Sequence, residues 1–395
     1  MTDDLVDGDF LLAGAPQRHA YYRQLRARSV HPVALASGGT AWLITGHDQA
    51  RQALADPRLR GRTGAVGDRR ALPPALQRGM NTHMLNLDPP DHTRLRRLIS
   101  AAFTRRRINA LRPRIQAITD DLLDAIETRE QVDLIRTLAS PLPIRVLTHL
   151  IGVPEDKVEA FHEWTTILTA SAVPLQQMTD AADQMLQYSH KLLALKRRHP
   201  RPDLLTALVQ VRDGDDKLTD DELTSMVFLL LIAGQETTAN LIGNGVLALL
   251  NHPDQLARLR DAPHLIPTAI EEFLRYESPV QAALRVTKEP IELDGHRIPA
   301  NAVVIVSLLA ANRDPSRVHD ADELYLHRTD VPHLAFGHGI HHCLGAPLAR
   351  LEGAIAIRTL LERFPHLRLA EPAHDLQWRI SLVMHGLTNL PVSLT

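Results

Sequence analysis

Apolar residues recur at helical spacing through most of the chain. Between Asp91 and Thr104, Leu95, Leu98, Ile99 and Phe103 share one helix face, directly after the breaker Asp88-Pro89-Pro90. Ile108 to Thr128 and Lys157 to Ala170 carry the same amphipathic pattern. Arg60 to His83 instead mixes Gly, Arg and Pro without a period and predicts a long loop, a kind more often functional than idle.

The longest pattern predicts a helix from Thr219 to about Leu250. Thr219 can cap it, Asp220 and Asp221 suit its positive end, and Glu222 completes a Thr-x-x-Glu capping box. Asn251-His252-Pro253 stops it, after roughly 45 Å at 1.5 Å per residue. Its middle, VFLLLIAG, is apolar all round, which predicts a central helix buried on every side.

Pro267 to Tyr276 predicts a second helix, ended by Ser278-Pro279. Strand patterns follow at Ala283 to Thr287, at Ile291 to Ile298 folded about Asp294-Gly295, and at Val303 to Leu308. Coil from Asn312 to Phe336 leads through Gly337 to Cys343 into a helix from Leu344 to Phe364. Helical and β-rich parts interleave without repeat or linker. The expectation is one domain over residues 1–395, mainly α with small β-sheets and a β-rich minor region.

Composition narrows the function. The 395 residues carry 44 basic and 46 acidic side chains, a net charge of −2, and only 4% aromatics. Neither an electrostatic drive toward nucleic acid nor a base-stacking surface is expected. The acidic start, MTDDLVDGDF, lacks a signal-peptide pattern, and the apolar run Met226–Gly234 is too short to span a bilayer. The chain reads as soluble and cytoplasmic, with no membrane partner. Its single cysteine, Cys343, excludes an intrachain disulfide and a multi-cysteine metal cluster.

Cys343 is the first chemical candidate. Glycines flank it and a helix opens just after, so free N–H groups would stabilise a thiolate, a strong ligand for iron. Gly339 and Gly345 would let the backbone approach a flat ligand. A lone buried cysteine and a zinc cluster of His333, His338, His341, His342 and Cys343 are the competing readings, the second at the wrong spacing.

Ala233-Gly234-Gln235-Glu236-Thr237-Thr238 is the second candidate. Gly is unfavourable within a helix by about 1 kcal/mol, so close ligand approach or a local widening would give it a motive. A buried Glu beside hydroxyls suggests a proton route; close helix packing with a satisfied Glu is the alternative. Glu272 and Arg275, three apart, suit a surface ion pair.

In this combination and order the sequence resembles the cytochrome P450 family, specifically its soluble bacterial haem-thiolate monooxygenases. Phe336-x-x-Gly339-x-His341-x-Cys343-x-Gly345 resembles the family's haem-binding loop, and Ala233-Gly234-x-Glu236-Thr237-Thr238 its oxygen-activation motif. Glu272-x-x-Arg275 is similar to its structural ion pair, which Arg313 would join. Leu87 to Arg96 is similar to the segment opening the helix beside the haem. His342 stands where related proteins commonly have an apolar residue, and the acid of the central helix is Glu rather than Asp.

The resemblance implies the P450 fold, with the long central helix over haem b (iron protoporphyrin IX). Cys343 would be the axial iron ligand. His92, Arg96, Arg285 and His341 would hold the propionates; Ala233, Gly234, Phe336 and Gly339 would line the haem; Thr237 would hold bound O2 and its water, and Glu236 would relay protons. The implied reaction inserts one oxygen atom into a lipophilic natural product such as a polyketide, macrolide or terpenoid. Electrons would come from a separate ferredoxin or flavodoxin and its NAD(P)H-dependent reductase, docking on Arg94, Arg96, Arg97, Arg105, Arg106 and Arg107. By position in that fold the pocket walls would be the Arg60–His83 loop with Leu85, Ala170–Leu186, Leu229–Ala233, Val280–Ala283 and Leu382-Val383. Desaturation, ring coupling and peroxide-driven oxidation are alternatives within the family; a haem-binding sensor without turnover is the alternative outside catalysis.

Overall fold

The computed structural model describes residues 5–35, 38–61, 73–169, 173–211, 216–329 and 332–395. Its axis is an unbroken α-helix, Asp220–Leu250, of 31 residues. Both capping-box bonds form: the Glu222 N–H donates to Thr219 Oγ1 at 3.3 Å and the Thr219 N–H to Glu222 Oε2 at 2.8 Å. The helix ends at Asn251, and Pro253 opens the next, Pro253–Asp261. Helices Pro74–Asn81, Pro141–Ile151, Leu175–Arg198 and Ala346–Arg363 pack around it, and its apolar side chains anchor the largest hydrophobic cluster.

Gly234 serves this packing. A β-carbon there would lie 2.8 Å from Leu147 Cδ1 on helix Pro141–Ile151. Helix–helix closeness, not local widening, is therefore what the glycine permits at that position.

A six-stranded sheet lies to one side, in the order Val6–Asp7, Val30–Ala34, Thr40–Ile44, Val303–Ser307, Ala282–Thr287, Leu59–Gly61. Alternation along Val303–Ser307 sends Val304 and Val306 to one hydrophobic cluster and Ile305 to another, so both faces are covered. The predicted hairpin forms from Ile291–Leu293 and His296–Ile298, with Asp294 at φ 51° and Gly295 at φ 76°. A three-stranded sheet joins Arg368–Leu369, Pro391–Ser393 and Gln131–Asp133.

Two predicted spans differ. In the Arg60–His83 stretch, residues 62–72 lie outside the described residues, but Gly61 pairs with Arg285 in the sheet and Pro74–Asn81 is helical. Pro74 suits a first turn, and Leu76 and Met80, four apart, bury one face; Gly and Pro content hid that short period. The Ile108–Thr128 run divides into Arg105–Ala110 and Arg112–Asp124, because Pro113 cannot donate inside a helix and instead opens the second.

Candidate active site

Cys343 sits at the end of a tightly bonded loop. The Gly337 N–H donates to Leu334 O at 2.7 Å, and the Cys343 N–H donates to Phe336 O at 2.8 Å. Gly339 has φ 73°, and a β-carbon on it would stand 2.9 Å from the Leu54 carbonyl. At Gly339 the backbone therefore lies close against helix His47–Ala55. Phe336 is covered by the Arg350 guanidinium, 4.4 Å from its ring centroid. Cys343 is exposed, yet desolvation by the surrounding groups pushes its thiol pKa up. The Gly345 and Ala346 N–H groups, Arg96 and Arg350 oppose the rise without cancelling it. The helix start favours a thiolate as expected, but desolvation outweighs it; a bound metal would supply the missing stabilisation.

The histidines around this loop do not converge on zinc. His333 bonds Glu271, whose carboxylate also holds Arg350 at 2.6 and 2.8 Å; His338 accepts from Arg51; His341 turns to His92.

Four cationic or donor side chains do converge. His92 and Arg96, four apart on helix Asp91–Ala102, share a face. The sheet brings Arg285, and the cysteine loop brings His341, whose ring centroid lies 4.4 Å from that of His92. Neither ring nitrogen of the buried His92 has a hydrogen-bond partner among the described residues. Burial first, then His92 and Arg285, hold the His341 pKa at about 4, with Arg96 acting the same way and Asp88 opposing. Burial also lowers Arg285 and Arg96. Cationic groups packed together, with two orphaned buried nitrogens, form a cradle that a dianion would satisfy.

On the central helix, Thr237 Oγ1 donates to Ala233 O at 2.7 Å, one turn back. Its neighbour Glu236 is 13% exposed and lies 3.5 Å from Arg379 Nη1. Burial raises the Glu236 pKa and Arg379 opposes it. Arg379 was not foreseen, since nothing local in the sequence marks a partner so distant along the chain.

Glu272 and Arg275 are not a surface pair: their side chains are 1% and 0% exposed. Arg275 Nε donates to Glu272 Oε2 at 2.7 Å and Nη2 to Oε1 at 2.8 Å, while further N–H groups reach the carbonyls of Asn312, Ala321 and Glu323. The third member is Arg328, 3.1 Å from Glu272, and not Arg313. Arg313 instead bonds Glu277 at 2.8 Å and lies over the Tyr276 ring.

Glu277 also receives His19 and His385, forming the one metal-capable trio among the described residues. Arg18 donates to His385 Nδ1 at 3.0 Å, which places the His385 proton on Nε2, where it bonds Glu277 at 2.6 Å. That nitrogen has no lone pair to give, and Arg313 already neutralises the carboxylate. The trio ties the N-terminal helix to the C-terminal segment.

The expected basic docking patch is smaller than its six arginines suggest. Arg94 pairs with Asp216 and Glu222, and Arg96 turns toward the cradle and the His342 carbonyl. Arg105 and Arg106 are exposed. Two expected pocket walls meet directly, with the Gln281 N–H donating to Val383 O at 2.8 Å, while Leu186 packs against Gly79. Residues 170–172 of a third wall lie outside the described residues.

The cytochrome P450 family profile matches residues 165–388. The chain belongs to the cytochrome P450 family. It is 49% identical to cytochrome P450 107B1 of Saccharopolyspora erythraea, over 96% of each chain. It is 46% identical to the cytochrome P450 monooxygenase PikC of Streptomyces venezuelae, over 94% of this chain and 89% of PikC. The structure of the ligand-free P450 monooxygenase TamI superimposes with a TM-score of 0.90 at 44% identity, covering 100% of this chain and 95% of TamI. This P450 is thus an oxidoreductase of a haem b family, with the mainly α P450 fold. Among the described residues the one helix long and apolar enough to cross a membrane is the central helix, and 72% of its apolar 18-residue window is buried.

Proposed function

We propose that this P450 inserts one atom of O2 into a C–H or C=C bond of a lipophilic secondary metabolite, a polyketide, macrolide or terpenoid. Residues 1–395 act as one catalytic domain in the cytoplasm. Electrons come from a separate ferredoxin or flavodoxin and its NAD(P)H-dependent reductase. The observation that carries the reading is the cradle of His92, Arg96, Arg285 and His341 near the Cys343 thiol, a donor set suited to a dianionic haem edge and its iron. The relative named mycinamicin IV hydroxylase/epoxidase, from Micromonospora griseorubida and 40% identical over 90% of this chain, supports both the reaction type and the substrate class.

Cys343 would serve as the metal's thiolate ligand; Arg96 and Arg285 would bind and neutralise the propionates, and His92 and His341 would bind them by hydrogen bonds. A haem so held would supply reductive activation of O2, a reaction that takes two electrons and two protons per oxygen atom transferred and releases one water. Ala233, Gly234, Phe336 and Gly339 bound the haem crevice through the elements described above. Glu236 takes up protons from solvent, and Thr237 passes them inward from its hydroxyl, which is already oriented by the Ala233 carbonyl.

Removing Arg285 takes away a charge-assisted bond worth about 1.5–3 kcal/mol. Arg285→Ala is therefore expected to release haem to a scavenging apoprotein about 10–100-fold faster. An unchanged transfer rate would remove Arg285 from the cradle.

Thr237→Ala tests the proton route. With substrate and redox partners, electron consumption should continue while product per NAD(P)H falls by about tenfold or more. Unchanged coupling would defeat this assignment. Turnover with peroxide alone equal to that with redox partners would favour peroxide-driven oxidation, against which the Glu236–Thr237 pair argues.

A further inference from the structure

We propose that His385 is a positioning residue for substrate: bonded to Arg18 on one side and to Glu277 on the other, it fixes an apolar wall beside Thr237 in the shape that grips a bulky lipophilic molecule. The inference rests on the reading of the site as one for a lipophilic substrate.

Two paired segments build the wall. The Gln281 N–H donates to Val383 O at 2.8 Å, its side-chain amide reaches Ser381 O, and Val280 bridges Met384. Val280, Ala283, Leu382, Val383 and Met384 are apolar yet only half-buried. The wall stands at the proposed site. Arg379, at the start of the second segment, meets Glu236, the neighbour of Thr237. At its end a β-carbon on Gly386 would collide with Asn240, one turn further along the central helix.

The two segments are held differently. The first belongs to the six-stranded sheet, where Ala282 pairs with Ser307. The second is a loop that leans on the first and on itself, Ser381 Oγ accepting the N–H groups of Val383 at 3.2 Å and Met384 at 2.9 Å. Where it ends, His385 is bonded on every side. Its N–H donates to Pro279 O at 2.8 Å, and its carbonyl accepts from Asn244 Nδ2 of the central helix at 3.0 Å. Arg18 Nη1 donates to its Nδ1 at 3.0 Å, its Nε2–H donates to Glu277 at 2.6 Å, and Trp378 stacks on its ring at 4.6 Å. Glu277 is held in turn by His19 at 3.0 Å and Arg313 at 2.8 Å.

The charges in this network argue for more than a tie between elements. Arg18, on the N-terminal helix Ala15–Gln24, is 1% exposed, and its second Nη donates to the Ala13 carbonyl. Apolar packing would join two elements without the desolvation cost of a buried cation. What the cation adds is direction: as an obligate donor it fixes the His385 tautomer, and with Glu277 opposite it fixes the ring's plane. Burial lowers the His385 pKa and Glu277 opposes it, so the neutral ring offers one acceptor and one donor. Loss of those two bonds lets the Ser381–Met384 loop shift, which removes contacts to a large ligand and none to a ligand small enough to miss the wall.

The test titrates ferric holoenzyme with two azoles, read from the Soret shift. Imidazole needs only the open position on the metal, whereas clotrimazole must also fit its three aryl rings against the wall. In H385L the clotrimazole constant should weaken about tenfold and the imidazole constant stay unchanged. H385Q, which keeps one acceptor and one donor, should restore most of the clotrimazole affinity. R18M leaves the His385–Glu277 bond in place and should show the same selective loss more weakly, which keeps the test open should H385L fail to load haem. The double variant should bind clotrimazole no worse than H385L alone, since the two side chains act as one unit. An unchanged or tighter clotrimazole constant in H385L and R18M overturns the proposal, and so does an equal loss for both azoles, which marks general damage. H385Q as weak as H385L overturns the two-bond account. Wild-type enzyme that binds clotrimazole no better than imidazole defeats the reading of a lipophilic pocket itself, and the proposal with it.

Discussion

Replacing Cys343 with Ala is expected to abolish turnover and to remove the strongly red-shifted Soret band of the reduced, carbon monoxide-treated protein. The thiol is raised in pKa by desolvation, and a bound cation favours its thiolate. Thiolate donation to iron produces the red shift, and no other described side chain offers a soft anionic donor, Cys343 being the chain's one cysteine. Haem itself should still be retained in part, because His92, Arg96 and Arg285 come from other elements than the cysteine loop. The variant should therefore give a haem protein with a blue-shifted band and no product. A wild-type protein without the red-shifted band would sink the assignment, as would a variant that keeps it.

What the sequence made legible was chemistry closed within a few residues. The Thr219–Glu222 capping box, the Asp294-Gly295 turn and the Asn251–Pro253 stop each depend on side chains bonding their own backbone neighbourhood. Motif spacing likewise singled out Cys343, Glu236 and Thr237 as candidates. What it concealed was whatever depends on an element arriving from elsewhere. Nothing local marks that Leu147 and the Leu54 carbonyl occupy the space a side chain would need at Gly234 and Gly339. Glu272–Arg275 has the spacing of a solvated helix pair and no local mark of burial. The same blindness exchanged Arg313 for Arg328, since both follow the helix in coil and only the folded path decides which reaches Glu272. Arg379 opposite Glu236 belongs to this class too.

That buried pair carries the second large effect. Arg275→Ala is expected to cost about 3–5 kcal/mol, a large share of the 5–15 kcal/mol that typically holds a domain folded. The loss exceeds that of a surface pair because Glu272 stays buried with Arg328 as its remaining cation, and the carbonyls of Asn312, Ala321 and Glu323 each lose the Arg275 donor. The damage should also reach the cysteine loop along a continuous set of bonds. Arg275 holds the Asn312 carbonyl; Asn312 Oδ1 accepts the Leu334 N–H at 2.6 Å; Leu334 O accepts from Gly337, and Phe336 O accepts from Cys343. In a urea titration of the holoprotein, Arg275→Ala should lower the unfolding midpoint and convert the red-shifted carbon monoxide band to the blue-shifted form before global unfolding. Arg328→Ala removes a bond at the margin of the cluster and should show the same order of events more weakly. Equal midpoints for Arg275→Ala and wild type would mean that the pair is dispensable; a lowered midpoint with the two transitions coincident would mean that it supports the fold without bracing the thiolate loop.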